Sequence, residues 1–113
     1  MQIKPTGIKI QFTKEIVDKI NLINSTIKSK NINFLSIDGI LYARLVNDWN
    51  ISMADIEINP TDGCINVKMA TESLEHLKHF NEIEMELLQV GNDITFMHGK
   101  SHGVDLKLMV SDK

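Results

Sequence analysis

Two pairs of histidines are the residues whose type and spacing come nearest to a chemical device. His76 and His79 stand three apart, and His98 and His102 flank a glycine-bearing turn. A spacing of three on a helix can bring two ring nitrogens to one side, where Glu72 or Glu75 could supply a third donor to a transition metal. No cysteine pair, His-Glu-x-x-His string or clustered aspartates accompany them, so they read as surface histidines, and no metal and no cofactor is expected. Hydrolysis and phosphoryl transfer find less support still. There is no glycine-rich phosphate loop and no Gly-x-Ser-x-Gly elbow, and Asp38-Gly39 and Asp62-Gly63 have the composition of turns. The single cysteine, Cys64, cannot form an internal disulfide and has no evident catalytic partner, so it reads as a reduced, unreactive thiol. The chain is therefore expected not to be an enzyme.

What remains is binding. Twelve Lys and Arg stand against fifteen Asp and Glu, a net charge of −3, which neither demands nor excludes a polyanionic partner; local distribution matters more than the sum. Aromatic residues make up only 5%, which argues against stacking platforms for single-stranded nucleic acid. With 42% apolar residues over 113 positions, the chain is long enough for one globular core and too short for two ordinary domains. One domain covering residues 1–113 is expected. No run of about 18 apolar residues could span a bilayer, and Met1-Gln-Ile-Lys-Pro5 lacks the apolar segment of a signal peptide. A soluble, cytoplasmic protein without a membrane partner is the expectation.

The elements that would position these residues follow from periodicity. Gly7–Phe12 alternates Ile8, Ile10 and Phe12 with polar residues, as a strand with one buried face does. Thr13 can cap a helix from Lys14 to about Thr26 whose Ile16, Ile20, Ile23 and Ile27 form an inward stripe. The polar run Ser25–Asn33 reads as a loop. Asn33–Asp38 and Ile40–Val46 flank Asp38-Gly39, a strong hairpin signal. Ala54–Ile58 alternates as a fourth strand, and Asn59–Gly63 is a turn cluster. The pattern then repeats: a strand over Cys64–Met69, a helix over Thr71–Phe80 capped by Thr71, and strands over Glu82–Leu88, Asp93–His98 and Val104–Val110, with turns at Gly91–Asp93 and Gly99–Gly103. Pro5 and Pro60 fall outside all of these elements. The order is β-α-β-β-β twice, over about 7–58 and 64–110, an α+β fold with both helices on one face of antiparallel sheets.

Two such units in one short chain resemble a single domain of the DNA sliding clamps, the family of proliferating cell nuclear antigen and the T-even phage clamp. Ile65–Phe80, the acidic alternating strand after it and Asp93-Ile-Thr-Phe96 are similar to their strand, channel helix and hairpin. The resemblance implies a processivity factor for DNA replication: a homo-oligomer of six such domains whose helices line a hole around duplex DNA and whose outer face carries polymerase or another replication protein. One domain per chain departs from that plan, and the inter-domain connector beside which clamps hold client peptides has no counterpart here.

Under that reading Lys14, Lys19, Lys28, Lys30 and Lys78 are the DNA-facing candidates, since lysines on the channel helices attract phosphates. The outward positions of the first helix are Lys14, Asp18, Asn21 and Ser25; those of the second are Glu72, Glu75, His76 and His79, an acidic or neutral face. The last strand, with Val104, Leu106, Leu108 and Val110, is the candidate subunit interface, because an open strand edge is a template for pairing. Trp49, Glu72 and Glu75 are candidate partner-docking residues, Trp being enriched at interface hot spots. Glu82, Glu84 and Glu86 form a negative stripe that reads as a solvated face. The alternative expectation is a protein-interaction module on the same fold, a phage or host regulator docking on a replication or defence complex without touching DNA.

Overall fold

A computed structural model describes residues 2–47 and 52–112. Among these, the elements run β1 (Ile3–Thr13), α1 (Lys14–Ile27), β2 (Asn31–Ile37), β3 (Ile40–Asn47), β4 (Ser52–Pro60), β5 (Asn66–Ala70), a 3-10 turn (Thr71–Ser73) leading into α2 (Leu74–Leu77), then β6 (Glu82–Val90), β7 (Asp93–Ser101) and β8 (Val104–Met109). The fold is α+β. Its strands form two antiparallel four-stranded sheets, ordered β1-β6-β7-β8 (sheet A) and β4-β3-β2-β5 (sheet B). Each sheet is a three-strand meander joined by a strand from the other half of the chain: β1 lies against β6, and β5 lies against β2.

The two crossings between sheets are built alike. Thr13, the last residue of β1, pairs with Glu82, the first of β6; Ala70, the last of β5, pairs with Asn31, the first of β2. One residue further on, the Lys14 amide donates to the Asn81 carbonyl at 2.9 Å, and the Thr71 amide donates to the Lys30 carbonyl at 3.0 Å. Each helix therefore starts beside the point where the other connection ends.

Alternation supplies the core. Ile10 and Phe12 of β1, Ile83, Met85 and Leu87 of β6 and Met97 of β7 face Ile32 and Phe34 of β2, Leu41, Ala43 and Leu45 of β3, Ile56 of β4 and Val67 and Met69 of β5, all buried in one cluster. Phe12 and Phe34 meet edge to face across the sheets, with ring centroids 5.7 Å apart, the geometry that aromatic quadrupoles favour. The sheets also meet along both seams. Along β1 and β4 the Asn59 side chain accepts from the Gln11 amide at 3.0 Å and donates to the Lys9 carbonyl at 3.2 Å. On the other side, Lys68 and Ser111 exchange backbone hydrogen bonds at 2.7 and 2.9 Å.

Hairpins fall where turn chemistry puts them. Asp38 and Gly39 have φ of 51° and 80°, the paired positive values of a type I′ turn. His102 and Gly103 repeat them at 52° and 79°. The expected turn over Gly99–Gly103 is thus only two residues long, and Gly99 belongs to β7. Pro5 and Pro60 also lie inside strands, Pro5 beside a register shift in β1 and Pro60 as the last residue of β4. Both β1 and β4 end their sheets, where a proline costs no ladder bond on its open side.

The helices differ from their expected spans. Thr13 does cap α1, its Oγ1 accepting from the Ile16 amide at 3.1 Å, but the helix continues through Ser25 to Ile27. Its inward side is turned toward Val17, buried with Ile20 and Ile27, while Ile16 and Ile23 are only partly covered. The second helix is a 3-10 turn and one turn of α-helix instead of a span over Thr71–Phe80. Thr71 does not cap it; Thr71 Oγ1 donates to the Ser29 carbonyl at 2.8 Å. The cause is length. Residues 14–30 link Thr13 to Asn31, whereas the six-residue-shorter stretch 71–81 must make the equivalent crossing from Ala70 to Glu82.

Candidate functional site

Three surfaces carry the residues singled out from the sequence. On the helix surface, α1 and α2 touch, and α1 exposes Lys14, Glu15, Asp18, Lys19, Leu22, Ser25 and Thr26. Two cations are thus interleaved with two anions. Leu22 sits among them 72% exposed. Around α2, Glu72, Glu75, His76, Lys78 and His79 are all exposed, and Lys78 Nζ reaches Glu75 Oε1 at 3.0 Å. The five candidate lysines are not one cluster: Lys14, Lys19 and Lys78 belong to the helix surface, while Lys28 closes α1 in a left-handed conformation and Lys30 lies in the following loop. Trp49 lies outside the described residues. Among the described residues, no group of three or more His, Cys, Asp and Glu could hold a metal ion.

The second surface is sheet A and its β8 edge. The two-residue turn His102-Gly103 closes on the pair Ser101–Val104, so hydrogen-bonded pairs recur at Gly99–Leu106 and Met97–Leu108, as antiparallel ladders alternate. The Val110 amide, donating to the Thr95 carbonyl at 3.1 Å, continues the series. The amides of Asp105, Lys107 and Met109 therefore face away from β7. Of the four interface candidates, Leu108 and Val110 are buried in this chain's own core and Leu106 packs against it. Only Val104, 54% exposed, offers its side chain outward, and a contact at this edge has to be made mainly through backbone.

The outer face of sheet A shows why the glutamate stripe is not an isolated anionic patch. Glu84 pairs with Lys9 at 3.5 Å, and Glu86 stands across from Lys9 on one side and His98 on the other. His98 Nε2 is 3.2 Å from Asp105 Oδ1. At the far end of the face, Pro5, Leu88, Phe96 and Met109 line up across all four strands. Lys107 Nζ lies 4.2 Å from the Phe96 ring centroid, a cation–π contact that shields the ring.

The third surface, the outer face of sheet B, was not anticipated as a unit. Here Arg44 grips Asp55 with two bonds, Nε to Oδ1 at 2.8 Å and Nη2 to Oδ2 at 3.0 Å. The hydrogen bond from Arg44 holds the Asp55 carboxyl below its ordinary value of 3.8, against the opposing effect of burial and with help from the guanidinium charge. The same bond raises Arg44. Beside this pair, Ser29, Lys30, Asn31, Asn33, Asn66 and Lys68 enclose a cleft of about 450 Å³ with Arg44 and Val46. The signal was present in the alternation of β2, β3 and β5, but only the pairing of Lys68 with Asn33, and Asn33 with Arg44, brings those outward positions into one row.

Comparison of the chain with protein-family models, with curated proteins and with solved structures gave no match.

Proposed function

We propose that the chain is a non-enzymatic, clamp-like accessory factor of DNA replication or processing that self-associates through its β8 edge. The observation that supports this is the repeated crossing. Each β-α-β-β-β half gives its first strand to the other half's meander, and each helix begins with the same amide-to-carbonyl bond, Lys14 to Asn81 and Thr71 to Lys30. The resemblance to clamp domains implies a two-unit plan, and this repeat supports that reading. It sets α1 and α2 side by side, so that copies joined edge to edge would present their helices on a common surface. The outward amides of Asp105, Lys107 and Met109 are the groups such a junction would use.

Light scattering over a range of concentrations, with duplex binding followed by fluorescence anisotropy at about 50 mM salt, tests the reading. An oligomer is expected, reduced to monomer by D105P, which removes one outward amide while sparing the pairing with β7. Duplex affinity is expected to fall steeply as salt rises. A monomer at high concentration with no affinity for duplex DNA would sink the proposal.

A second reading, a protein-interaction module that does not touch DNA, is favoured by the interleaved charges of the helix surface and by Leu22 at its centre. Charge reversal in K14E/K28E separates the two. Unimpaired partner binding with no change in any DNA affinity leaves the interaction module; loss of duplex binding keeps the clamp-like factor.

A further inference from the structure

The outer face of sheet B holds a cleft with cations in its lining. Lys30, Arg44 and Lys68 contribute positive charge, Ser29, Asn31, Asn33 and Asn66 contribute hydrogen-bonding groups, Val46 is apolar, and none of the described lining residues is a carboxylate. The larger cleft of about 680 Å³ along the β1–β4 seam is different, for Lys9 is mixed there with Asp62 and Glu84. In a chain of net charge −3, three cations in one lining are a local concentration. Asp55 neutralises Arg44 while holding its guanidinium plane in place, so the uncompensated charge is that of the two lysines. A third hollow, of about 480 Å³, shares Asn31 and Lys68 and extends toward Met109–Ser111, so the depression is elongated.

A separate observation concerns hydrogen bonding. Asn33 Nδ2 donates to Asn66 Oδ1 at 2.9 Å, while Asn33 Oδ1 is shielded from solvent and has no partner. An unmet buried polar atom costs about 1–3 kcal/mol. Turning the amide over would give up the bond to Asn66, so Asn33 is held through its nitrogen alone. Among the described residues the lining offers charge and amides for recognition.

We propose that this cleft binds phosphate groups, held by Lys30 and Lys68 as point charges and bordered by the Asn33–Asn66 amide pair and the fixed Arg44. The phosphates could be those of a small free ligand or of a nucleic-acid backbone, and the two sources are separable. The inference does not depend on the clamp-like reading; it shares Lys30 with that reading's DNA-facing candidates, whereas Lys14, Lys19 and Lys78 lie on the helix surface.

The test uses the full chain with two probes, inorganic pyrophosphate and a short DNA duplex. Binding is followed by calorimetry and anisotropy, and by the shifts of the Asn33 and Asn66 side-chain amide resonances. At low salt, pyrophosphate is expected to bind and to move those resonances, with affinity falling at least tenfold in K30Q/K68Q. K4Q/K100Q, which removes the same charge from elsewhere, is expected to stay within twofold. Binding of the duplex alone, with the same dependence on Lys30 and Lys68, supports the site and identifies a backbone as its source. If neither probe binds, if K30Q/K68Q binds as well as the parent, or if only the duplex binds and does so through Lys14 and Lys19, the phosphate site is overturned. The last of these results would leave the clamp-like reading standing.

Discussion

Gly99 lies toward the end of β7, buried, where a Cβ would strike the Glu84 carbonyl oxygen and come within 2.6 Å of Met85 Sδ. Backbone atoms of β6 cannot move aside without opening the ladder. G99A is therefore expected to lower stability by about 1–3 kcal/mol through overpacking, measured by urea denaturation. From the sequence, Gly99 reads as the start of a turn because glycine is a turn residue in most contexts; its role as a gap filled by a neighbouring strand becomes visible only once β6 is known to lie beside it. Asp55 makes a different kind of statement. Its folded value is lowered, so its contribution is fully present above the ordinary aspartate value of 3.8 and is lost as pH falls through the lower folded value. The stability difference between the parent and D55N should be greatest from neutral pH down to that range and shrink below it. Denaturation curves at a series of pH values would show this, and a difference that grows in acid would contradict it.

At the scale of elements, strands were the most legible part, because alternation marks them twice over: it gives their extent and the face they bury. Their ends are less so, since β4 and β7 run on past the turn-forming residues Asn59 and Gly99. Helix one was read from Thr13 and the spacing of its isoleucines, and the cap is real. Helix two was overread. Leu74, Leu77 and Phe80 have helical spacing, but 71–81 is too short a crossing to carry a full helix between the sheets, and that limit is set by pairings distant in sequence. The two threonines should consequently respond differently. T13A, which removes a cap bond to Ile16, is expected to cost about 1 kcal/mol with loss of helical signal in circular dichroism. T71A should leave helical signal unchanged while leaving the Ser29 carbonyl to Asn24 Nδ2 alone, seen as faster hydrogen exchange between α1 and β2.

For the whole molecule, the sequence carries the α+β class and the doubled element order, since both follow from local pattern. It does not carry the sheet orders, because nothing local to β1 says that its neighbour is β6, and β5 is no better marked for β2. The surfaces suffer from the same gap. Lysines on helix faces are legible because spacing in sequence gives proximity directly, whereas the cationic cleft draws on β2, β3, β5 and the loop before β2, and exists only after pairing. The β8 edge was found, yet three of its four named side chains turn inward.

The exchange of β1 and β5 between meanders has a consequence for how the chain can be divided. A break at Asp62-Gly63 would leave each piece with a three-strand meander missing its fourth strand and with a first strand lacking its sheet, so neither piece could complete a core alone. Mixed together, they should restore each other as two fragments of one fold, with the Lys14–Asn81 and Thr71–Lys30 joints now intermolecular. Separate and combined fragments 1–62 and 63–113, compared by amide spectra, provide the measurement. Dispersed resonances only on mixing are expected; a piece that folds by itself would mean that the exchanged strand is dispensable.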